Sequence, residues 1–229
     1  GRMDILIAPS ESTSGRLSWY EALNPRTGPW TEHIIDSIVS YLHTFKTGDM
    51  NNDGKLDVVT AEMHQSSDPD EVSIYFNTGN ALSWSQQVVA TTGSHNIRIG
   101  DIGNDGDLDI FGANWNDAAP NSAVIEMWEN KLNEQSILSL DKWSYIQVDN
   151  SRSTFDNVNR YFGLAFYDVN GDGYKDIISG KYYYKNPGGD MTGAWTRVTF
   201  PINVDAMLAT NVDDDIFADA IAESLPNIY

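Results

Sequence analysis

Four short stretches of the chain carry side chains suited to a hard metal cation. They read Asp49-Met-Asn51-Asn-Asp53-Gly54-Lys55-Leu-Asp57, Asp101-Ile-Gly103-Asn-Asp105-Gly106-Asp107-Leu-Asp109, Asp168-Val-Asn170-Gly-Asp172-Gly173-Tyr174-Lys-Asp176 and Asn211-Val-Asp213-Asp-Asp215-Ile216-Phe-Ala-Asp219. Calcium takes roughly six to eight oxygen ligands at about 2.3–2.6 Å, from carboxylates, amides and carbonyls. Positions 1, 3 and 5 of D-x-[DN]-x-D-G-x-x-D put alternate oxygens on one side of a tight loop. Position 7 offers a backbone carbonyl, here from Lys55, Asp107 or Tyr174. The aspartate at position 9 closes the shell, and glycine at position 6 permits the positive φ of the turn.

The loops are not equivalent. Loops one and three fit throughout, through Asp49, Asn51, Asp53 and Asp57 and through Asp168, Asn170, Asp172 and Asp176. Loop two has Gly103 at its third position, where a water would take the ligand's place. Loop four begins with Asn211 and has Ile216 where the others have glycine, and a β-branched residue resists φ > 0. The competing reading is a set of Asx-rich turns without metal. Against it, carboxylates crowded together without a cation repel and raise each other's pKa. The expectation is two to four structural calcium ions; oxygen ligands also admit magnesium, which suits a flexible carboxylate-rich loop less well.

The elements that position these loops follow from internal repetition. The last aspartates of the four loops are 52, 67 and 43 residues apart. Gly1-Arg2-Met3-Asp4 followed by Ile-Leu-Ile matches the end of the same motif, 53 residues before Asp57, so the chain is read as beginning within a repeat. Trp30-Thr, Trp84-Ser, Trp143-Ser and Trp195-Thr recur in step, and an aromatic-x-Asn step precedes three of them at Asn77, Asn130 and Asn186. Between the markers lie short runs rich in Val, Ile, Phe and Tyr, bounded by Gly, Asn, Asp and Pro, with no helical period. Each unit reads as strand, acidic loop, strand, turn, strand, turn and Trp-led strand. Four strands per repeat predict an all-β chain of β-propeller blades, about four to five of them, over residues 1–229. Residues 131–159 are the least repeat-like and mark a possible insertion or boundary.

Composition narrows the function. The chain has 229 residues, no cysteine, and 14 Lys+Arg against 33 Asp+Glu, a formal charge of −19. That balance argues against nucleic acid and anionic membranes as partners, both of which need a basic surface. The absence of cysteine removes disulfides and thiolate sites. Neither a transmembrane run nor a signal peptide is visible. Of the 33 acidic residues, 14 lie in the four loops, so the charge reads mainly as ligand supply.

Loop motif, following apolar strand and repeat length together resemble the FG-GAP/VCBS repeat family, the calcium-loop propeller blades also seen in integrin α-subunit heads. The resemblance covers essentially the whole chain. It implies a calcium-stabilised propeller, secreted or at the cell surface, of bacterial type. Residues 160–191 are similar to the opening blade of some secreted bacterial propellers. Because the family usually closes with seven or eight blades, the chain is read as a piece of a longer propeller, completed by further blades of the same parent chain or by a second copy.

If each loop joins the first two strands of a blade, the opposite ends collect a different set. His43, His95, Phe162 and Asp205 lie before the loops; Glu62 with His64, Asn114 with Trp115, Lys181 with Tyr183, and Glu223 lie after the second strands. Asn96, Arg160 and Tyr161 flank them. Two histidines at equivalent places of neighbouring blades should lie close together. As a glycan-binding face the set offers Trp115 and Tyr183 for stacking and Glu62, His64, Asn96 and Asn114 for hydroxyls. As a polysaccharide lyase it offers His43, His64 or His95 as base, Tyr161 or Tyr183 as acid, and Arg160 or Lys181 against a uronate carboxylate. A protein-binding adhesion or structural repeat, in which these side chains only fill the ring, is the third reading. His33 is read as packing or surface. The reading adopted is an extracellular calcium-binding propeller that binds polysaccharide or surface glycan.

Overall fold

A computed structural model describes residues 4–66, 69–114, 124–132, 143–152, 163–189, 191–213, 215, 217–224 and 227–228. Among the described residues the regular structure is β throughout, with eighteen strands in five antiparallel sheets. The first sheet orders β1 (Ile5–Ile7), β2 (Gly15–Glu21) and β3 (Thr31–Val39). The second contains β4 (Leu42–Gly48), β5 (Asp57–Glu62), β6 (Val72–Asn77) and β7 (Trp84–Ala90). The third contains β8 (Asn96–Gly100), β9 (Asp109–Ala113), β10 (Ile125–Asn130) and β11 (Trp143–Asp149). The fourth contains β12 (Leu164–Tyr167), β13 (Asp176–Ser179), β14 (Tyr182–Lys185) and β15 (Thr196–Thr199). The fifth contains β16 (Asp205–Thr210), β17 (Asp219–Ser224) and β18 (Asn227–Ile228).

In every sheet, neighbours in space are neighbours in sequence, so each is an up-and-down meander. Each acidic loop joins the first and second strands of a four-strand pattern: β4 to β5, β8 to β9, β12 to β13 and β16 to β17. Trp84 and Trp143 open the fourth strands of their sheets, and Trp195 stands just before β15. The stretch 131–159, read as the least repeat-like, contains β11, which pairs with β10 from Asn130↔Trp143 to Ile125↔Asp149.

The chain divides into two compact units, Gly1–Asp49 with Asp53–His95, and Met50–Asn52 with Asn96–Tyr229. In the first, Leu17, Val39, Leu42, Val58 and Tyr75 form the core between the first two sheets, with Leu6, Ile35 and Trp84 at its margin. The indole N–H groups of Trp19 and Trp84 both donate to the Ala81 carbonyl, at 2.9 and 3.1 Å, which ties the β6–β7 turn to the first sheet.

In the second unit the fourth sheet is buried on both faces. Ile177 packs with Phe111, Met127 and Tyr184 on one side, while its neighbour Ile178 packs with Val204, Ala206 and Ala222 on the other. That two-sided burial explains why all of β13 is buried, including the adjacent Ile177 and Ile178, whereas the outer strand β7 is partly exposed along its length. Among the described residues, no helix is long and apolar enough to cross a membrane.

Candidate metal loops

The first three loops share one backbone course. Position 4 is left-handed in each (Asn52 φ 57°, Asn104 φ 55°, Gly171 φ 74°), and so is position 6 (Gly54 φ 83°, Gly106 φ 91°, Gly173 φ 92°). Asn and Gly are the residues that tolerate this region, so the alternating Asn/Gly pattern is a conformational code as much as a ligand code. In loop four the corresponding residues, 214 and 216, lie outside the described residues.

The first carboxylate organises the turn. In loop one, Asp49 Oδ1 accepts from the Asp53 N–H at 3.0 Å and Oδ2 from the Gly54 N–H at 2.8 Å. In loop three, Asp168 Oδ1 accepts from Gly171 and Asp172 at 2.8 and 3.1 Å, and Oδ2 from Gly173 at 2.8 Å. Asp101 of loop two accepts one such bond, from Asp105 at 3.1 Å. In loop four, Asn211 reverses the polarity: its amide donates to the Asp215 carbonyl. The fifth-position carboxylates receive the seventh-position N–H in each loop, as in Asp53 from Lys55 at 3.0 Å and Asp172 from Tyr174 at 3.0 Å. Asp53 and Asp172 also meet lysines at the surface, Lys55 Nζ at 2.6 Å and Lys185 Nζ at 3.2 Å.

The ninth aspartate is chiefly a staple of the sheet. Asp57, Asp109 and Asp176 are buried, and each Oδ1 accepts, at 2.8 Å, the N–H of the asparagine that ends or directly follows the third strand: Asn77, Asn130 and Asn186. The other oxygen accepts the second-position N–H of its own loop, from Ile102 at 2.9 Å, Val169 at 3.0 Å and, in loop four, Val212 to Asp219 at 2.7 Å. The asparagine amides reach further. Asn186 Nδ2 donates to Lys175 O in its own sheet at 3.0 Å and to Ile102 O in loop two at 3.3 Å. Asn130 Nδ2 does the same with Leu108 O at 3.2 Å and Met50 O at 3.0 Å. Each bond places the third strand of one sheet on the second residue of the preceding acidic loop. The recurring aromatic-x-Asn step was the sequence signal for this staple.

Burial, with Asp107 and Asp105 adding repulsion, pushes Asp109 up to about 7. Burial, with Asp172 and Asp168 nearby, pushes Asp176 up to about 6. Among the described residues, no three His, Cys, Asp or Glu side chains are gathered as a metal shell would require. The donors remain chemically suited to one. Asn170 Oδ1, at position 3 of loop three, is buried without a hydrogen-bond partner, while its amide nitrogen faces Asp176 at 3.2 Å.

The opposite ends of the sheets differ from one to the next. In the first unit, the ring centroids of His43 and His95 lie 4.2 Å apart with the planes tilted by 37°, His43 Nδ1 2.8 Å from the His95 carbonyl and Nε2 3.6 Å from Glu11. Burial, with the charges of His43 and His64 nearby, lowers His95 to about 4. Glu62 accepts from the Ser66 hydroxyl at 3.1 Å and the Glu71 N–H at 3.2 Å, which holds the β5–β6 loop, and burial raises its pKa. His33 stacks on Trp19 at 4.1 Å, a packing role.

In the second unit, Asn96 Oδ1 accepts from Arg98 at 3.0 Å. Asn114 is buried; its amide donates to Glu126 Oε1 at 3.0 Å, and its carbonyl accepts from Arg152 at 2.7 Å. Lys181 Nζ lies 3.5 Å from Asn203 Oδ1, and the Tyr183 ring lies 6.2 Å from Phe200 at the margin of the core. Asp205 accepts the Gly163 N–H at 2.8 Å and faces Glu223 across the β16–β17 register. Trp115, Arg160, Tyr161 and Phe162 lie outside the described residues. The structure therefore brings the two histidines together and assigns Glu62, Asn114 and Asp205 to loop and strand anchoring. Glu126 and Arg152 were not anticipated; a glutamate inside the apolar run Ile125–Trp128 was the available sign for the first.

Geometry of this kind defines a class: an all-β repeat protein whose four-stranded meanders are each stapled by an acidic loop. Residues 1–60 and 49–112 match the model of the FG-GAP-like repeat. Residues 1–112 thus carry sequence of the FG-GAP-like repeat type, and the same loop-to-asparagine staple recurs in the third and fourth sheets. A search of curated proteins finds no match for the chain.

Proposed function

We propose that the chain is a calcium-stabilised, propeller-like module of an extracellular protein, and that the sheet ends away from the acidic loops bind polysaccharide. The observation that carries the calcium reading is the common form of loops one and three. In both, the first carboxylate caps the fifth and sixth N–H groups and so fixes a ring of oxygens before any cation arrives. In loop three, Asn170 adds a buried oxygen with no partner. A hard divalent cation satisfies that oxygen and offsets the charge that burial opposes at Asp176. Calcium in loops one and three would be held by Asp49, Asn51, Asp53 and the Lys55 carbonyl, and by Asp168, Asn170, Asp172 and the Tyr174 carbonyl. Extracellular calcium levels suit weak, structural sites of this kind.

Of the three histidines read as candidate bases, His95 is poorly suited to the role. A general base works best with a pKa near the working pH. Held down to about 4 by burial and its histidine neighbours, His95 is a neutral hydrogen-bonding group at neutral pH. The test is a panel of uronic-acid and neutral polysaccharides. Retention without turnover is the expected result; absorbance from a newly formed double bond would establish a lyase and overturn the binding assignment. Calcium titrated into chelator-treated protein should give saturable heat; no heat would sink the metal assignment.

A further inference from the structure

Loop two departs from its neighbours in what closes it. A side chain at Gly103, the third position, would press on Met191, whose Cε lies 3.1 Å from where a Cβ would stand. Met191 is fully buried in the core shared by the third and fourth sheets. The space beside position 3 therefore belongs to an apolar methyl group, and the water expected there as a substitute ligand has a poor site. The loop also has four aspartates, one more than loops one and three: Asp101, Asp105, Asp107 and Asp109, with Asp107 and Asp109 buried.

A cation reaches this loop from elsewhere in the chain. Lys175, at position 8 of loop three, extends its ammonium to the Asp101 carbonyl at 2.6 Å and to Asn104 Oδ1 at 3.3 Å. Asn104 completes the link by donating from its amide to the Gly173 carbonyl. Position 8 is leucine in loops one and two, and Leu56 of loop one is 62% exposed. Lys55 and Lys185 meet loops one and three differently, through the exposed fifth carboxylate, from which a divalent ion displaces them at little cost. Lys175 instead bonds to the backbone and is part-buried.

We infer that Lys175 is the resident cation of loop two, so that this loop takes no calcium while loops one and three do. The inference rests on the calcium reading of loops one and three. An ammonium has three donors and a fixed charge, enough to bridge two oxygens and offset nearby carboxylates. A divalent ion in the same loop would meet that charge at short range and find one oxygen fewer than calcium's usual complement.

Calorimetry of calcium binding to the full chain tests this, with Asp101→Asn, Asp49→Asn and Asp168→Asn compared with the parent. The last two should each lower the number of ions bound by one, and Asp101→Asn should leave it unchanged. Loss of an ion in Asp101→Asn would overturn the inference. Lys175→Met provides a readout that needs no calcium: in EDTA its melting midpoint should fall by roughly 3–6 °C. A midpoint within about one degree of the parent would also overturn it. If the parent protein binds no calcium at all, the metal assignment of loops one and three fails, while the EDTA midpoint of Lys175→Met still decides whether the ammonium holds loop two.

Discussion

The two ends of each sheet are built on opposite principles. At the loop end, three sheets repeat the same set of bonds: a ninth-position aspartate to an asparagine N–H, always at 2.8 Å. At the far end, no two sheets agree. Glu62 ties a loop to itself, Asn114 bridges a buried glutamate and an arginine, and Asp205 holds a neighbouring glycine N–H. Repetition at one end fixes strand register and sheet spacing. Variation at the other leaves side chains that differ from sheet to sheet, as a recognition surface requires.

That contrast breaks most sharply at the staple itself. Asp176→Ala would strip the acceptor from two backbone N–H groups, Val169 and Asn186, the latter buried. The expected loss is roughly 3 kcal/mol in EDTA, read from urea unfolding, because each orphaned donor costs about 1–3 kcal/mol. A loss under about 1 kcal/mol would mean the loop end is not what holds the sheet.

A pH series separates two of the loops. Asp109 near 7 and Asp176 near 6 stand above the value of about 3.9 for an unfolded aspartate. Between those values the folded chain holds more protons than the unfolded one. Their contribution is therefore complete below about pH 4 and is lost as pH rises toward 7, amounting to several kcal/mol in EDTA. Calcium should remove the part due to Asp176 and leave the part due to Asp109. Asp149 works in the other sense: burial raises it, but bonds from Ser151, Tyr184 and Arg197 outweigh that, so its contribution disappears as pH falls.

Substitutions of smaller effect test the repetition directly. Asn77→Ala, Asn130→Ala and Asn186→Ala should cost similar amounts, about 1–2 kcal/mol each, since each removes an amide bonded to backbone carbonyls. Far-end changes should scatter instead. Asn114→Ala should cost about 2 kcal/mol by removing the amide donor to buried Glu126 while leaving the backbone carbonyl bonded to Arg152, and Lys181→Ala, whose Nζ makes an exposed contact with Asn203 Oδ1 at 3.5 Å, under about 0.5 kcal/mol. Equal costs at the far end would erase the distinction.

Most of the loop end was legible in sequence because its causes are local. Asp, Asn and Gly at fixed offsets dictate turns, and Trp and aromatic-x-Asn mark where strands begin and end. Lys175 was not legible, since it acts on Asp101 across 74 residues and looks like any surface lysine. Gly103 read as a missing ligand because nothing in the motif reveals that Met191 fills the space beside it. The pairing of His43 and His95 followed from repeat alignment, whereas Glu126 and Arg152 depend on how sheets meet and leave no periodic trace.

The central claim is that acidic loops one and three are calcium sites that hold their sheets together. It is tested most directly by the melting midpoint of the full chain in millimolar calcium against EDTA at neutral pH. Binding to the folded state alone should raise the midpoint by several degrees, with magnesium giving a smaller rise. Identical midpoints in calcium and EDTA would contradict the account.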